Sequence, residues 1–234
     1  MLVRLLCLVI GYAFGLVQTA YIIGRLHGID IREHGSGNAG TTNAMRTMGR
    51  KAGAMTLVGD MLKCILASLV ARLLFGGSHP DMLPLLCAYA AAGAILGHNF
   101  PFYLKFKGGK GIACTVGLVF CLSWQVGLVV MVEFFLIFFT THYVSLGSTL
   151  CYVLFLVQTI VFGQMGGFKM TQVHLNELYI VLAVLTFMAL YRHRANIKRL
   201  LSGTESKIYL SKKHKETGNC SEKVKSPADE AVRT

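Results

Sequence analysis

Long apolar runs alternate with short basic, glycine-rich stretches along the chain. The runs are residues 1–24, 53–75, 82–96, 112–141, 144–162 and 178–190 with its flanks. Each reads as helix crossing a bilayer, for which about 20 apolar residues are needed. Alanine and glycine in the third run permit close helix packing. The run 112–141 is interrupted at Ser123-Trp-Gln125, so it reads as one tilted helix or as a hairpin of two short ones. Breaks fall at Gly76-Gly-Ser-His-Pro-Asp81, at His142-Tyr143 and in the polar, glycine-rich residues 163–176. A cleaved leader is disfavoured: the first run is long, no small-x-small site closes it, and Arg25 follows at once.

Charge decides the number of crossings. Residues 25–52 carry Arg25, Arg32, Arg46, Arg50 and Lys51 against Asp30 and Glu33. Two further basic stretches are 97–111 and 191–205. Basic loops belong on the cytoplasmic side. A single helix over 112–141 gives six spans and puts residues 192–199 on the opposite side from the first two loops. A hairpin gives seven and puts all three together, although each arm of about 15 residues is short of a full crossing. The expectation is therefore an all-α integral membrane protein of about seven transmembrane helices, N-terminus outside and C-terminus cytoplasmic. Residues 1–205 form the membrane domain, and 206–234 form a basic tail with the composition of disorder. No internal repeat is visible, which weakens the alternative of a small transporter of phosphorylated or anionic solutes.

Composition agrees with the pattern. Of 234 residues 54% are hydrophobic and only 15% charged, against about 25% charged in an ordinary soluble domain. The net charge of +12 is concentrated between and after the apolar runs, which points to anionic lipid or phosphorylated substrates and away from nucleic acid. Six of the seven cysteines lie in apolar runs, Cys220 is the exception, and no Cys-x-x-Cys occurs. They read as reduced packing residues and not as metal ligands or a disulfide frame.

Candidate chemistry sits in the basic loops. Gly35-Ser-Gly-Asn-Ala-Gly-Thr-Thr-Asn-Ala-Met-Arg46 combines glycines, hydroxyl and amide side chains and a forked cation, without a carboxylate. Ser36, Asn38, Thr41, Thr42 and Asn43 offer hydrogen bonds, and Arg46 suits a phosphate. Lys107-Gly-Gly-Lys-Gly111 reads as an anion cradle at a helix start, with Lys107 and Lys110 as cations and Gly108, Gly109 and Gly111 turning N–H groups to the ligand. It is not a Walker A loop, because glycine follows Lys110 where a magnesium-binding hydroxyl would stand. His98 and His193 are candidate bases, and the cations beside His193 disfavour its protonation. Asp60 and Lys63, three apart on the second span, read as a structural pair. Glu133 is an intramembrane carboxylate and so draws attention. No Ser-His-acid set and no His-Glu-x-x-His is present. Phosphate sites without a nucleophile or metal suit a reaction whose electrophile is already activated, with no cofactor.

Taken together, Gly35 to Arg46, Gly97-His-Asn-Phe-Pro with Phe106-Lys-Gly-Gly-Lys-Gly111, and His193-Arg-Ala-Asn-Ile-Lys-Arg-Leu-Leu-Ser-Gly-Thr-Glu205 resemble the three motifs of the bacterial acyl-phosphate:glycerol-3-phosphate acyltransferase family (PlsY type). Tyr143-Val-Ser-Leu-Gly-Ser148 resembles the family too, which adds Ser145 and Ser148 as substrate contacts. The resemblance implies seven transmembrane helices in the bacterial cell membrane with a site facing the cytoplasm. It implies transfer of a fatty acyl group from acyl phosphate to the sn-1 hydroxyl of glycerol 3-phosphate, giving lysophosphatidic acid and phosphate. The partners implied are these two substrates and the lipid bilayer. Ser36, Arg46, Lys110, His193 and Asn196 are then the expected catalytic set, with Asn38, Thr41, Asn43, His98, Lys107, Gly108, Gly109, Gly111, Ser145 and Ser148 binding substrate and no metal. The chain departs from the family pattern at Ala39, where proline is usual, at Thr41, where alanine is, and at His142, where arginine is.

Overall fold

The computed structural model of the protein describes residues 1–208. The basic tail and Cys220 lie outside the described residues, apart from the tail's first three residues. Among the described residues all regular structure is helical. The helices are α1 (Leu2–Gly15), α2 (Thr19–Leu26), α3 (Thr41–Met48), α4 (Arg50–Phe75), α5 (Leu83–Asn99), α6 (Ile112–Leu122), α7 (Trp124–Thr141), α8 (Val144–Gln164), α9 (Gln172–Arg192) and α10 (Arg194–Leu201).

Among the described residues five segments are long and apolar enough to cross a membrane: Leu2–Leu26, Pro80–Leu104, Trp124–Thr141, Val144–Gln164 and Gln172–Arg192. The helix α4 has the length, at 26 residues, but carries Arg50, Lys51, Asp60, Lys63 and Arg72. The stretch 112–141 is two helices. Ser123 is extended, and its hydroxyl accepts the Val126 N–H at 3.3 Å as an N-cap, which ends α6 and starts α7. The first apolar run is also divided. Gln18 is non-helical, and its side-chain amide donates to the carbonyls of Gly15, Gly97 and His98 at 3.1–3.2 Å.

The core is organised on α5, which is buried along most of its length. Lipid tails give no hydrophobic drive for helix association, so packing rests on close backbone approach. Gly11-x-x-x-Gly15 on α1 faces Gly93-x-x-x-Gly97 on α5. A Cβ at Gly11 would lie 1.8 Å from the Ala90 carbonyl oxygen, and one at Gly93 would lie 2.1 Å from that of Leu8. On its other side α5 packs against α4 and α6, and α7 lies at the periphery against α8 and α6. Near the end of the bundle holding Met1, Arg4 pairs with Glu177 at 2.5 and 2.8 Å and Tyr89 donates to the same carboxylate at 2.8 Å, which ties α1, α5 and α9 together. The helix α5 runs past residue 96, where the loop was expected to begin, and so holds His98 and Asn99 in its last turn.

Gly93→Val drives its Cβ to 2.1 Å from the Leu8 carbonyl oxygen, and overpacking of this kind costs about 1–3 kcal/mol. Thermal melting of the detergent-solubilised protein should show a clear fall in midpoint. Gly77→Val, where a Cβ meets nothing within 4 Å, should leave the midpoint unchanged.

Candidate functional site

The first loop is built by Asn43. This residue is 1% exposed. Its Oδ1 accepts the Ser36 N–H at 2.9 Å, and its Nδ2 donates to the carbonyls of His34 (2.9 Å) and Ile31 (3.2 Å). Gly35 takes φ +60° directly against it, where a Cβ would lie 2.3 Å from Asn43 Oδ1. Glycine is required there on both counts. The amide of Asn43 is thus engaged in holding the loop rather than facing a ligand. It leaves Ser36 on the surface, and the Ser36 hydroxyl makes no hydrogen bond among the described residues. Arg46, in the last turn of α3, is exposed and has no partner among them. Asn38 is half-buried, and Thr41 begins α3 with its hydroxyl oxygen buried and unpaired among the described residues. Arg32 forks onto Asp30 and donates to the Leu104 carbonyl at 3.3 Å, joining the first loop to the second. The Arg32 guanidinium holds the Asp30 carboxyl down at about 2.

The second loop corrects the cradle expected from its glycines. The N–H of Gly108 donates to the Asn99 carbonyl (3.3 Å) and that of Gly109 to the His98 carbonyl (3.1 Å). Neither is turned toward a ligand. These positions need glycine for space: a Cβ at Gly108 would lie 2.0 Å from His98 O, and one at Gly109 2.1 Å from His98 Nε2 and 2.9 Å from Ala39 O. The last contact brings the first loop against the second. Gly111 is left-handed at φ +81° and caps α6, an 11-residue helix whose first N–H groups have no intrahelical partner. Lys107 is exposed.

His98 supports this loop from below. It is 3% exposed, and its Nδ1 accepts from Lys63 Nζ at 2.8 Å, which places the ring proton on Nε2. Lys63 also donates to the Val17 carbonyl at 2.8 Å and pairs with Asp60 at 2.9 Å, and Thr19 donates to the same Asp60 oxygen at 3.1 Å. Asp60, His98 and Cys114 have metal-ligand atoms within 4.8 Å of one another. The Lys63 ammonium already answers the first two, so a metal ion would have to displace it.

The third stretch meets the second. Lys110 donates to Asn196 Oδ1, and Asn196 Nδ2 donates to Glu205 at 2.7 Å, which Arg199 holds at 2.6 Å. Burial raises the Glu205 carboxyl, but the donors from Asn196 and Arg199 outweigh it and leave the group below its usual value. His193 ends α9 and caps α10. Its Nδ1–H donates to the Ala189 carbonyl at 2.8 Å, so in the neutral ring Nε2 is an acceptor. Burial first, then the Lys110 charge, lowers His193 to about 4. Burial first, then Arg199, lowers Lys110 to about 8. The imidazole is therefore neutral at pH 7 and the lysine charged. Arg192, read from the sequence as a topology signal, donates to the carbonyls of both Gly108 and Gly109. Its role had no local signature beyond its place before His193. Ser145 and Ser148 lie buried in the first turns of α8, where Ser148 donates back to the Val144 carbonyl at 2.8 Å.

The arrangement gathers Lys110, Asn196, His193 and the first turn of α6 beside the first loop. It offers cations, an amide and a neutral imidazole, and among the described residues the only hydrogen-bond partner of that imidazole is the Ala189 carbonyl. A family model described as glycerol-3-phosphate acyltransferase matches residues 5–203. The glycerol-3-phosphate acyltransferase of Bacillus subtilis (strain 168) is 41% identical over 209 residues, covering 89% of this chain and 98% of that protein. The protein of the same name from Thermotoga petrophila is 40% identical, covering 88% and 96%. The crystal structure of PlsY, an integral membrane glycerol 3-phosphate acyltransferase, in its glycerol 3-phosphate form superposes with a TM-score of 0.75 at 32% identity, covering 88% of this chain and 96% of that one. Its lysophosphatidic acid form gives 0.74 at 31%.

A lysine lowered by burial and neighbouring cations becomes a reactive amine at lower pH. Acylation of Lys110 by an amine-selective reagent, followed by peptide mass spectrometry, should reach half its plateau rate near pH 8. A half-point above pH 10 would remove the burial argument.

Proposed function

The chain belongs to the glycerol-3-phosphate acyltransferase family, and from that premise we propose that it transfers a fatty acyl group from acyl phosphate to the sn-1 hydroxyl of glycerol 3-phosphate. Lysophosphatidic acid and inorganic phosphate are the products. The observation that carries the reading is the meeting of Lys110, Asn196 and neutral His193 at the junction of the second loop with α9 and α10. An acyl phosphate is a mixed anhydride, so its carbonyl is activated before it binds. The protein has to hold two anions together and aim a hydroxyl.

In this mechanism Arg46, Lys110 and Asn196 bind the phosphate of glycerol 3-phosphate. Ser36 and His193 Nε2 hold its polyol end. The phosphoryl end of the donor faces the first turn of α6, with Gly111 and Lys107, since a helix N-terminus favours an anion. The acyl chain lies between helices toward the bilayer. The sn-1 oxygen attacks the carbonyl carbon, the carbonyl–phosphate oxygen bond breaks, and phosphate leaves with the electron pair. The hydroxyl proton passes to a phosphate oxygen of the substrate, so no protein base is consumed. Positioning of this kind supplies about 7–11 kcal/mol at best. Fixed cations stabilise the oxyanion that forms at the carbonyl. Metal and cofactor have no part in it.

The proposed topology is seven crossings, made of the five long apolar segments with α4 and α6. The N-terminus is outside and the three basic stretches face the cytoplasm, in a bacterial cell membrane. The helix α6, at 11 residues, is only about 16 Å long and crosses part of the bilayer.

Purified protein given glycerol 3-phosphate should release phosphate from palmitoyl phosphate and show no transfer from palmitoyl-CoA. Equal rates with the two donors would sink the donor assignment. Arg46→Lys keeps the charge but cannot fork onto a phosphate. Its kcat/KM should fall one to two decades, the size of a lost charge-assisted bond of about 1.5–3 kcal/mol. Ser36→Cys incubated with acyl phosphate alone should gain no mass. A stable acyl thioester there would establish a covalent intermediate and overturn direct transfer.

A further inference from the structure

All four backbone polar groups of the Gly108–Gly109 pair are engaged. The two N–H groups go to Asn99 and His98, at the end of α5. The two carbonyls accept from one nitrogen, Arg192 Nη2, at 3.0 and 2.6 Å. The guanidinium is half-buried and lies 5.2 Å above the Phe100 ring. Beneath the pair, the His98 ring leaves no room for a single added carbon, and Lys63 fixes that ring. The pair is therefore a strut held from both sides, and Lys110 is the next residue. Arg192 is also the last residue of α9, adjoining His193, whose helix carries Asn196. One side chain thus links the backbone that presents Lys110 to the element that receives it.

Electrostatics alone does not account for this placement. Arg192 and Lys110 are like charges, and their proximity opposes the protonated form of Lys110. What Arg192 supplies is geometry.

We propose that Arg192 is a positioning residue for glycerol 3-phosphate: by holding the Gly108 and Gly109 carbonyls it delivers the Lys110 ammonium to Asn196 and to the phosphate of the substrate. The proposal rests on the reading of Lys110 as a phosphate ligand given above. It predicts that the effect of Arg192 on substrate passes through Lys110, and a mere structural brace would not show that coupling.

The test is calorimetric titration of glycerol 3-phosphate, up to high millimolar, into full-length protein in detergent, with melting temperature recorded in parallel. Arg192→Gln should weaken binding about tenfold to a hundredfold, the range for a misplaced contact group. Arg192→Lys, whose ammonium can also donate to two carbonyls, should recover most of it. In a Lys110→Met background Arg192→Gln should add less than about a twofold change, because a residue acting through Lys110 has nothing left to act on. Equal losses in the two backgrounds, or wild-type affinity in Arg192→Gln, would overturn the proposal. Should Arg192→Gln fail to fold, Phe100→Leu loosens the guanidinium without removing it, and must weaken binding only where Lys110 is present. Wild-type protein that binds no glycerol 3-phosphate would instead overturn the functional reading itself.

Discussion

The end of α5 is where backbone groups have to be satisfied without water, and the rest of the site is arranged around that requirement. Helices in a bilayer leave their last carbonyls without intrahelical partners. Here Gln18 donates to the carbonyls of Gly97 and His98, and the N–H groups of Gly108 and Gly109 donate to those of Asn99 and His98. The loop is folded back onto the helix that precedes it. The close approach of α1 to α5 through Gly11, Gly15, Gly93 and Gly97 accompanies this and brings Gln18 within reach of the same helix end.

The same constraint explains the buried charges. A carboxylate and an ammonium in a membrane-spanning bundle are expensive, and a buried pair seldom increases stability over apolar packing. Asp60 and Lys63 lie beneath the second loop, at 1% and 4% exposure. Lys63 has three acceptors, Val17, Asp60 and His98, which use its three protons. The return for this cost is position: the imidazole of His98 is held as a flat floor under Gly109. Of the groups offered to substrate in the proposed mechanism, Ser36 and Arg46 are exposed and make no side-chain bond among the described residues, whereas Lys110, Asn196 and His193 are already held by hydrogen bonds. In the first loop, then, Asn43 builds the turn while Ser36 and Arg46 lie on its solvent side.

Burial also sets the charge states around α10. Lys110 and His193 are both lowered, by desolvation first and by neighbouring cations after it. The imidazole becomes an acceptor with its tautomer fixed by Ala189, while the lysine stays charged at neutral pH. Such a site offers a cation to an anion without holding a general base of high basicity. In the proposed reaction the leaving group is already good, so a strong base is not required.

Much of this was legible in the chain alone. Hydropathy marks the apolar runs and basic residues mark the loops, and the charge of those loops favours two helices over one in 112–141, because span and charge are local signals. The three motifs mark out the candidate site for the same reason. The pairing of Asp60 with Lys63 followed from their spacing. Local pattern could not tell which way the Gly108 and Gly109 peptides face, nor that Asn43 and His98 turn inward to hold loops. It could not show that Arg192 reaches glycines more than eighty residues earlier in the chain. Those facts depend on which carbonyl lies opposite which donor once α1, α5 and α9 are packed. A glycine needed for φ, for close approach or for an exposed N–H looks the same in sequence, and only the neighbours brought by the tertiary fold separate the three.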